Sequence, residues 1–326
     1  MTCPAGPTPH DPAPKESPVA VPLARTPRRR AAARPGQRGA VTVLLVPFFA
    51  LFGLVMVAPI GYAIWMSLFQ ERSSGLGFGG TERVFSGLGN YSRALSDPAF
   101  RTSFVHIAVY CVAYIPVMIG GALVLALLLD SALSRAKRFL QLALFLPHAV
   151  PSMIAAIVWI YLYTPGLSPV TGWIESLGGN WAFFSDDHAL SSMINIAVWQ
   201  WIGYNMVIFY AALQAVPRET LEAAVVDGAG ELRIAWQIKV PVIRSSVVLT
   251  LLFTCVGAVQ LFNEPKILSS RASSLGSTWS PTMYIFKAAF ERHDYGLAAA
   301  SSLLLALAAA ALSFIVTRIG NRGKTA

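Results

Sequence analysis

Five polar side chains lie inside segments of this chain that are otherwise apolar. A polar group in a long apolar segment is costly to bury, so such residues are candidates for a functional site. Amides offer paired hydrogen-bond donors and acceptors, and aromatic faces stack on the C–H surfaces of hydroxyl-rich ligands. The candidates are Gln200, Asn205, Gln260, Asn263 and Glu264. The nearby aromatic residues are Trp199, Trp201, Tyr204 and Phe262. The alternative is that these side chains form interhelical hydrogen bonds and an interfacial aromatic belt.

The sequence shows no catalytic or metal-binding pattern. The histidines share no spacing with an acid or nucleophile, so we predict no catalytic site and do not expect an enzyme. The three cysteines show no CxxC or Cys/His spacing, which predicts no metal site. The Gly-rich stretch 75–80 and the terminal Gly323-Lys324-Thr325 match parts of nucleotide-binding motifs without the flanking elements those motifs need. We expect this chain to bind no cofactor.

The composition indicates a membrane protein. Of the 326 residues, 55% are hydrophobic and 13% are charged, whereas soluble domains carry about 25% charged residues. A helix needs about 20 apolar residues to cross the hydrocarbon core, and an open sheet is excluded there because its edge groups would lack partners. The charge-free apolar runs predict an all-α polytopic membrane protein with six transmembrane helices, at 42–68, 104–129, 140–163, 190–213, 245–266 and 295–317.

Residues 1–40 are rich in Pro, Ala and Arg and are predicted to form a disordered basic tail. A basic run before an apolar segment is also typical of a signal peptide. The charge-free run from Val41 to Gln70, however, far exceeds the about 7–15 residues of a signal-peptide core, so an uncleaved first span is favoured. The predicted organisation is this tail, a six-helix transmembrane domain at 41–320 with a polar loop at 214–244, and a short tail at 321–326.

The distribution of Lys and Arg predicts the orientation. Most of the 25 basic residues fall in the first 40 residues, in the loops 130–139 and 214–244, and after the last span. The loop 164–189 has no basic residue and carries Glu175, Asp186 and Asp187. By the positive-inside rule, both termini and the 214–244 loop are expected in the cytoplasm. Basic residues beside a span also explain the net charge of +9 without nucleic acid.

The 214–244 loop is predicted to form a helix–turn–helix along the membrane surface. The first helix would begin at Thr220 as N-cap, with Glu219 near its first turn, and would end at Gly228. A second short helix would run from Glu231 to Lys239, before Pro241. Two interpretations remain: an ordinary interfacial amphipathic hairpin, or a docking element for a partner.

The segment from Glu222 to Pro241 resembles the EAA loop of ABC importer permeases. The matching positions are Glu222, Ala223, Ala224, Asp227, Gly228, Ala229, Trp236, Ile238 and Pro241. The sequence departs from the family pattern at Ala235, Val240 and Ser245. The resemblance implies that this loop couples the chain to an ATPase by inserting into a groove of an ATP-binding subunit, with Glu222 near a basic residue there.

Further segments resemble the carbohydrate-uptake branch, which includes the maltose and glycerol-3-phosphate permeases. They are residues 58–62, 87–91 and 146–151, and the resemblance extends over about 41 to 320. It implies the MetI-like fold of binding-protein-dependent inner-membrane components.

By the same resemblance, the expected function is passage of a sugar or oligosaccharide across a bacterial cytoplasmic membrane. The expected partners are a second homologous permease subunit, two cytoplasmic ATP-binding subunits that hold the ATP, an extracytoplasmic solute-binding protein and the lipid bilayer. Nucleic acid is not expected. The alternatives are an importer for glycerol-3-phosphate or a polyol and, in a different class, a six-helix channel or sensor without an ATPase partner.

Overall fold

The computed structural model describes Thr2 and residues 35–73, 81–131, 136–179 and 181–322. The chain separates into two compact units, Met1–Met56 and Val57–Ala326. Helix α1, Pro35–Phe52, begins before the tail boundary that the sequence predicted at residue 41. Most of the predicted disordered tail lies outside the described residues, as do the Gly-rich stretch 75–80 and Gly323-Lys324-Thr325. These predictions therefore remain predictions.

Helices dominate the part of the chain that the structure describes. After α1 come a π-helical turn Gly53–Val57, α2 Ala58–Ser67, β1 Phe69–Ser73, β2 Thr81–Phe85, α3 Gly89–Ser96, α4 Pro98–Asp130, α5 Lys137–Phe145, a 3₁₀ turn Leu146–Ala149, α6 Ser152–Tyr163, α7 Pro169–Ser176 and α8 Ala189–Leu213. The remaining elements are α9 Arg218–Val226, α10 Glu231–Ile234, a π-helical turn Ala235–Lys239, α11 Val240–Val242, α12 Arg244–Val259, α13 Asn263–Leu268, α14 Pro281–Phe286, a π-helical turn Lys287–Glu291 and α15 Tyr295–Arg322.

The predicted all-α membrane fold is confirmed, and five of the six predicted spans are long apolar helices among the described residues. Within the described residues, the helical segments long and apolar enough to cross a membrane are Thr42–Ser67, Pro98–Asp130, Ala189–Leu213, Arg244–Leu268 and Tyr295–Gly320. The pair Lys137–Ala149 and Ser152–Tyr163, at the predicted third span, meets the same length and composition only when its two bent halves are taken together.

The sequence predicted a continuous third span at 140–163, but this segment bends by 99°. Val150 is extended, with ψ 127°, because Pro151 disfavours the helical conformation of the residue before it. Bundled helices tolerate such a break when neighbours satisfy the freed backbone groups. Here the Nε2 of Gln200 donates to the carbonyl of Val150 at 2.7 Å.

A two-stranded antiparallel hairpin follows α2, and the sequence did not predict it. Gln70 pairs with Val84, and Glu71 pairs with Arg83. The hairpin lies in the connection between the first and second spans, so it interrupts neither of them.

The core is built around α4, which packs along α8. Asp97 caps α4 by accepting from the backbone N–H of Ala99 at 2.9 Å, and Pro98 occupies the first helical position. The helix has 33 residues, so at about 1.5 Å per residue it is roughly 50 Å long and extends beyond the hydrocarbon core. Its two ends therefore reach different surfaces of the bundle. Gly203 lets α8 approach α5 closely, because a Cβ there would collide with the carbonyl of Leu144.

A group of polar residues lies at the end of the bundle where α4 begins. We call this group the distal cluster; its members are Asn90, Arg93, Asp97, Tyr284 and Asp294. The buried Nδ2 of Asn90 donates to the carbonyls of Ser67 and Phe69, both at 2.8 Å. Arg93 donates to Asn90 Oδ1 at 3.1 Å and pairs with Asp294 at 2.7 Å.

Tyr284 donates to Asp97 at 2.7 Å, and the backbone N–H of Asp97 bonds to the carbonyl of Arg93 at 3.0 Å. Burial, together with this hydrogen bond to a carboxylate, raises the pKa of Tyr284, so its hydroxyl stays protonated and donates. Gly296 lets α15 come close, because a Cβ at this position would collide with the carbonyl of Phe69. The distal cluster thus ties the hairpin region, α3, α14 and α15 together.

Candidate functional site

Residues 214–244 form the predicted helix–turn–helix, which we call the coupling loop after the role that the sequence resemblance predicts for it. Its first helix, α9, begins at Arg218 rather than after Thr220. Pro217 is the N-cap residue, with φ −60° and ψ 132°, and no side chain caps the helix. The prediction that Thr220 is the N-cap was therefore wrong. The rigid φ of Pro217 fixes where the helix starts.

Gly228 ends α9, as the sequence predicted. It adopts a φ of +79°, the left-handed conformation that glycine reaches without strain. The N–H of Ala229 bonds to the carbonyl of Ala224 at 2.9 Å, and the N–H of Gly228 bonds to that of Val225 at 3.0 Å. This pair of bonds is a Schellman motif, which satisfies the last carbonyls of a helix and turns the chain sharply.

The second half of the coupling loop runs through α10, a π-helical turn and α11 into α12. Gly230 leads into α10 with extended backbone, φ −71° and ψ 161°. Pro241 lies within α11 and is exposed. Ile234 and Ile243 are buried against the bundle, so they attach this half of the loop to the core.

Most of the predicted coupling residues face solvent. Glu222, Ala223, Asp227, Gly228 and Pro241 are exposed, while the remaining two, Ala224 and Ala229, are half-buried. Large apolar side chains are exposed beside them. Val226 is 86% exposed, Leu232 74% and Trp236 54%. Exposed apolar side chains grouped on a polar loop are typical of an interaction surface.

The coupling loop is tied to the end of α4 through Asp130. Lys239 Nζ lies 2.5 Å from Asp130 Oδ2 in an ion pair whose side chains are only 17% and 14% exposed. Gln214 Nε2 donates to Asp130 Oδ1 at 2.8 Å. Among the described residues, both side-chain hydrogen bonds that leave the coupling loop end on this carboxylate. Sequence reasoning missed Asp130; its one signal was an acid at the end of a long apolar run.

A cavity of about 310 Å³ lies near the middle of the spans, between α4, α8 and the break that separates α12 from α13. Four of the five predicted substrate-path residues line it: Asn205, Gln260, Asn263 and Glu264. Aromatic residues form much of the remaining wall: Tyr110, Tyr114, Trp201, Tyr204, Phe253 and Phe262. None of its lining residues is Lys, Arg or His.

The fifth predicted residue, Gln200, is not among the lining residues of this cavity. It is buried and donates to Val150 at the bend of the third span. Sequence reasoning also missed Tyr110, Tyr114 and Ser152, of which Ser152 accepts from Asn263 Nδ2 at 3.0 Å. The four-residue spacing of the two tyrosines on one helical face was the available signal.

Comparisons with known proteins identify a family for more than half of the chain. Residues 122–322 match the family model described as "Binding-protein-dependent transport system inner membrane component". The matched range includes the coupling loop and much of the cavity wall.

Two curated relatives cover most of the chain. The sn-glycerol-3-phosphate transport system permease protein UgpA of Yersinia enterocolitica is 31% identical over 86% of this chain and 93% of its own. The diacetylchitobiose uptake system permease protein NgcF of Streptomyces coelicolor is 28% identical over 93% of each chain.

A solved structure shares the fold. It is the bacterial alginate ABC transporter in complex with an alginate pentasaccharide-bound periplasmic protein, matched with a TM-score of 0.76 and 16% identity. The match covers 89% of this chain and 96% of that chain.

Proposed function

Because the chain belongs to the family of binding-protein-dependent transport system inner membrane components, we propose that it is the permease subunit of a sugar or oligosaccharide ABC importer. The family identifies a transport subunit rather than an enzyme. In this proposal, ATP is bound and hydrolysed on separate subunits. The chain lies in the cytoplasmic membrane with both termini and the coupling loop in the cytoplasm, as the distribution of Lys and Arg indicates.

The observation that carries the proposal is the shape and exposure of the coupling loop. A Schellman turn at Gly228 holds two short helices in a fixed relation, and Glu222 and Ala223 are exposed on the first of them. Apolar side chains such as Val226 are exposed as well. A rigid surface with exposed apolar and acidic groups suits a groove on a partner. We propose that the partner is an ATP-binding subunit.

The remaining proposed partners are a second, homologous permease subunit, a second ATP-binding subunit and an extracytoplasmic solute-binding protein. The family description itself names dependence on a binding protein. The structurally similar alginate transporter was solved in complex with a periplasmic protein that holds an alginate pentasaccharide. Exposed apolar side chains along the spans, such as Val112 at 77%, are available to lipid and to a second permease.

We propose that the 310 Å³ cavity is part of the substrate path and that its cargo is uncharged. Amide groups and phenol hydroxyls line it, and the hydroxyl of Tyr110 finds no hydrogen-bond partner among the described residues. Aromatic rings complete the wall. This chemistry suits hydroxyl groups and the C–H faces of a sugar ring.

Glycerol-3-phosphate is the second candidate cargo, because the relative from Yersinia enterocolitica is named for it. The cavity argues against it here. Glu264 lines the cavity, and no cationic side chain of the described residues does, whereas Arg and Lys are the side chains that bind phosphate most strongly in proteins. A neutral sugar therefore fits the cavity better.

The mechanism follows from how the coupling loop joins the cavity. The loop lies between α8 and α12, and both helices line the cavity. Closure of the ATP-binding subunits would move the loop as a unit and tilt the helices at both its ends. The cavity would then alternate between the two sides of the membrane.

The experiment is ATP-driven uptake by the complete transporter in proteoliposomes, with Glu222→Arg compared to Glu175→Arg. Glu175 is also exposed, but it lies on α7 in the connection between the third and fourth spans. We expect Glu222→Arg to lower sugar uptake more than tenfold, because charge reversal at a docking surface costs several kcal/mol. Glu175→Arg should retain uptake, and both variants should be present at normal amounts.

A panel of cargoes completes this test. Wild-type uptake of a neutral oligosaccharide with no uptake of glycerol-3-phosphate supports the proposed substrate class, and the reverse result overturns it. Full uptake by Glu222→Arg would contradict docking at the coupling loop. Solute flux without ATP would favour a channel.

A further inference from the structure

The carboxylate of Asp130 binds both ends of the coupling loop at once. Gln214, at the start of the loop, donates to one oxygen, and Lys239, near its end, pairs with the other. These partners are 84 and 109 residues further along the chain. Lys137 at the start of α5 also donates to the backbone carbonyl of Asp130, at 3.3 Å. Four segments therefore meet at the last residue of α4.

Local helix stability does not explain an acid at this position. The C-terminal end of a helix carries partial negative charge, so an acidic residue there is disfavoured and a basic residue is favoured. Asp130 is the last residue of α4. Lys239 and Lys137 offset this unfavourable interaction with the helix dipole. The role of the carboxylate therefore lies in its contacts with the coupling loop.

Apolar packing between the coupling loop and α4 is incomplete. A cavity of about 510 Å³ separates them, lined by Leu127 and Leu128 of α4 and by Leu232 and Trp236 of the loop. Ile243 packs with Leu129 and Phe209 in a buried cluster, but it lies at the very end of the loop. Asp130 therefore supplies the polar contact of the loop with α4, beside the apolar packing around Ile243.

We infer that Asp130 is a positioning residue that latches both ends of the coupling loop to α4, so that movement of the loop is transmitted along α4 to the cavity. This inference rests on the proposed function. Helix α4 carries Tyr110 and Tyr114 into the cavity wall. The loop is covalently joined to α8 and α12, and Asp130 also holds it to α4. Movement of the loop would therefore move all three helices together.

The test uses the complete transporter in proteoliposomes and measures solute molecules moved per ATP hydrolysed. Three variants are needed: Asp130→Ala, Lys239→Met and the exchanged pair Asp130→Lys with Lys239→Asp. Lys287→Met is the matched control, since Lys287 is a half-buried lysine outside the coupling loop whose side chain donates to Ser277 Oγ at 2.6 Å. A merely structural role would change the amount of protein in the membrane and leave this ratio unaltered.

We expect Asp130→Ala and Lys239→Met to lower the ratio about tenfold, because each leaves a mostly buried charge or amide without its partner. The exchanged pair should restore most of the wild-type ratio of solute moved per ATP hydrolysed. Reversed charges attract equally, the carbonyl of Gln214 can accept from a lysine, and a cation suits the end of α4. Lys287→Met should match wild type.

The outcomes separate this inference from the proposed function. A wild-type ratio in Asp130→Ala, while Glu222→Arg abolishes uptake, overturns the latch and leaves the proposed function intact. An exchanged pair no better than the single variants also overturns it. If Glu222→Arg transports normally, the proposed function itself fails, whatever Asp130→Ala does.

Discussion

The two ends of the helical bundle are held together in different ways. At the distal cluster, one buried amide, Asn90, bonds two backbone carbonyls and an arginine, and Arg93 continues the network to Asp294. At the other end, the coupling loop exposes Val226 and Leu232 and relies on Asp130 for its side-chain hydrogen bonds to the bundle.

The two regions differ in whether their side chains find partners within the protein itself or remain exposed for another subunit. The polar groups of the distal cluster bond to the protein's own residues, and the buried amide of Asn90 is satisfied as buried polar groups must be. The coupling loop leaves apolar area to be covered by something else. Residues of the first kind should affect folding, and residues of the second kind should affect assembly and transport.

The largest effect is expected from Asn90→Leu in the distal cluster. The change keeps the branched skeleton of the side chain but leaves two carbonyls and the Arg93 donor without their partner, which we expect to destabilise the protein by about 3 kcal/mol. The measurement is the yield and thermal stability of the purified protein. Ser92→Ala, an exposed change on the same helix, is the control. Equal stability of the two variants would remove the distinction between the ends.

An intermediate effect is expected from Leu232→Ser, and it should appear in assembly rather than in folding. Burying a leucine at an interface contributes about 1.5–3 kcal/mol, so we expect the ATP-binding subunit to bind about tenfold more weakly. The control is Leu177→Ser, since Leu177 is 68% exposed and lies directly after α7. Binding can be measured with the two purified components in nanodiscs. A loss of thermal stability without a loss of binding would contradict the prediction.

The smallest effect is expected from Gly228→Ala, which tests the turn inside the coupling loop. An alanine at φ +79° is strained by about 1 kcal/mol, so the Schellman turn should open more often. Trypsin should then cleave faster after the exposed Arg233. Gly230→Ala is the matched control, because Gly230 has φ −71° and open space around its Cβ position. Equal cleavage rates would show that the turn is not held by Gly228.

The spans were predictable because membrane insertion depends on local composition, which a sequence displays directly. The bend at Val150 was not, although Pro151 was visible. Proline marks where a helix can break, but the angle depends on how neighbours such as Gln200 satisfy the freed carbonyl.

The coupling loop was predictable for a similar reason: Gly228 specifies its own backbone conformation. The start of α9 was mispredicted because a threonine side chain was favoured over the rigid backbone of Pro217. Asp130 could not be found from spacing, since Lys239 lies 109 residues away. The β-hairpin was missed because its first strand, Phe69–Ser73, lacks the β-branched residues that mark strands.

The cavity was partly predictable. The rule that polar residues inside spans are candidates correctly selected Asn205, Gln260, Asn263 and Glu264 as cavity residues. The same rule also selected Gln200, which instead bonds to Val150 at the bend. Side-chain direction decides between these roles. A sequence gives that direction only relative to the helix itself, not relative to its neighbours.

The most direct test of docking at the coupling loop is site-specific photo-crosslinking in the complete transporter. A photoreactive amino acid at Ala223 is compared with one at Trp173, which is 66% exposed on α7. We expect position 223 to crosslink to an ATP-binding subunit and position 173 not to do so. An adduct with that subunit from position 173, or none from position 223 in an assembled and active complex, would contradict docking at this loop.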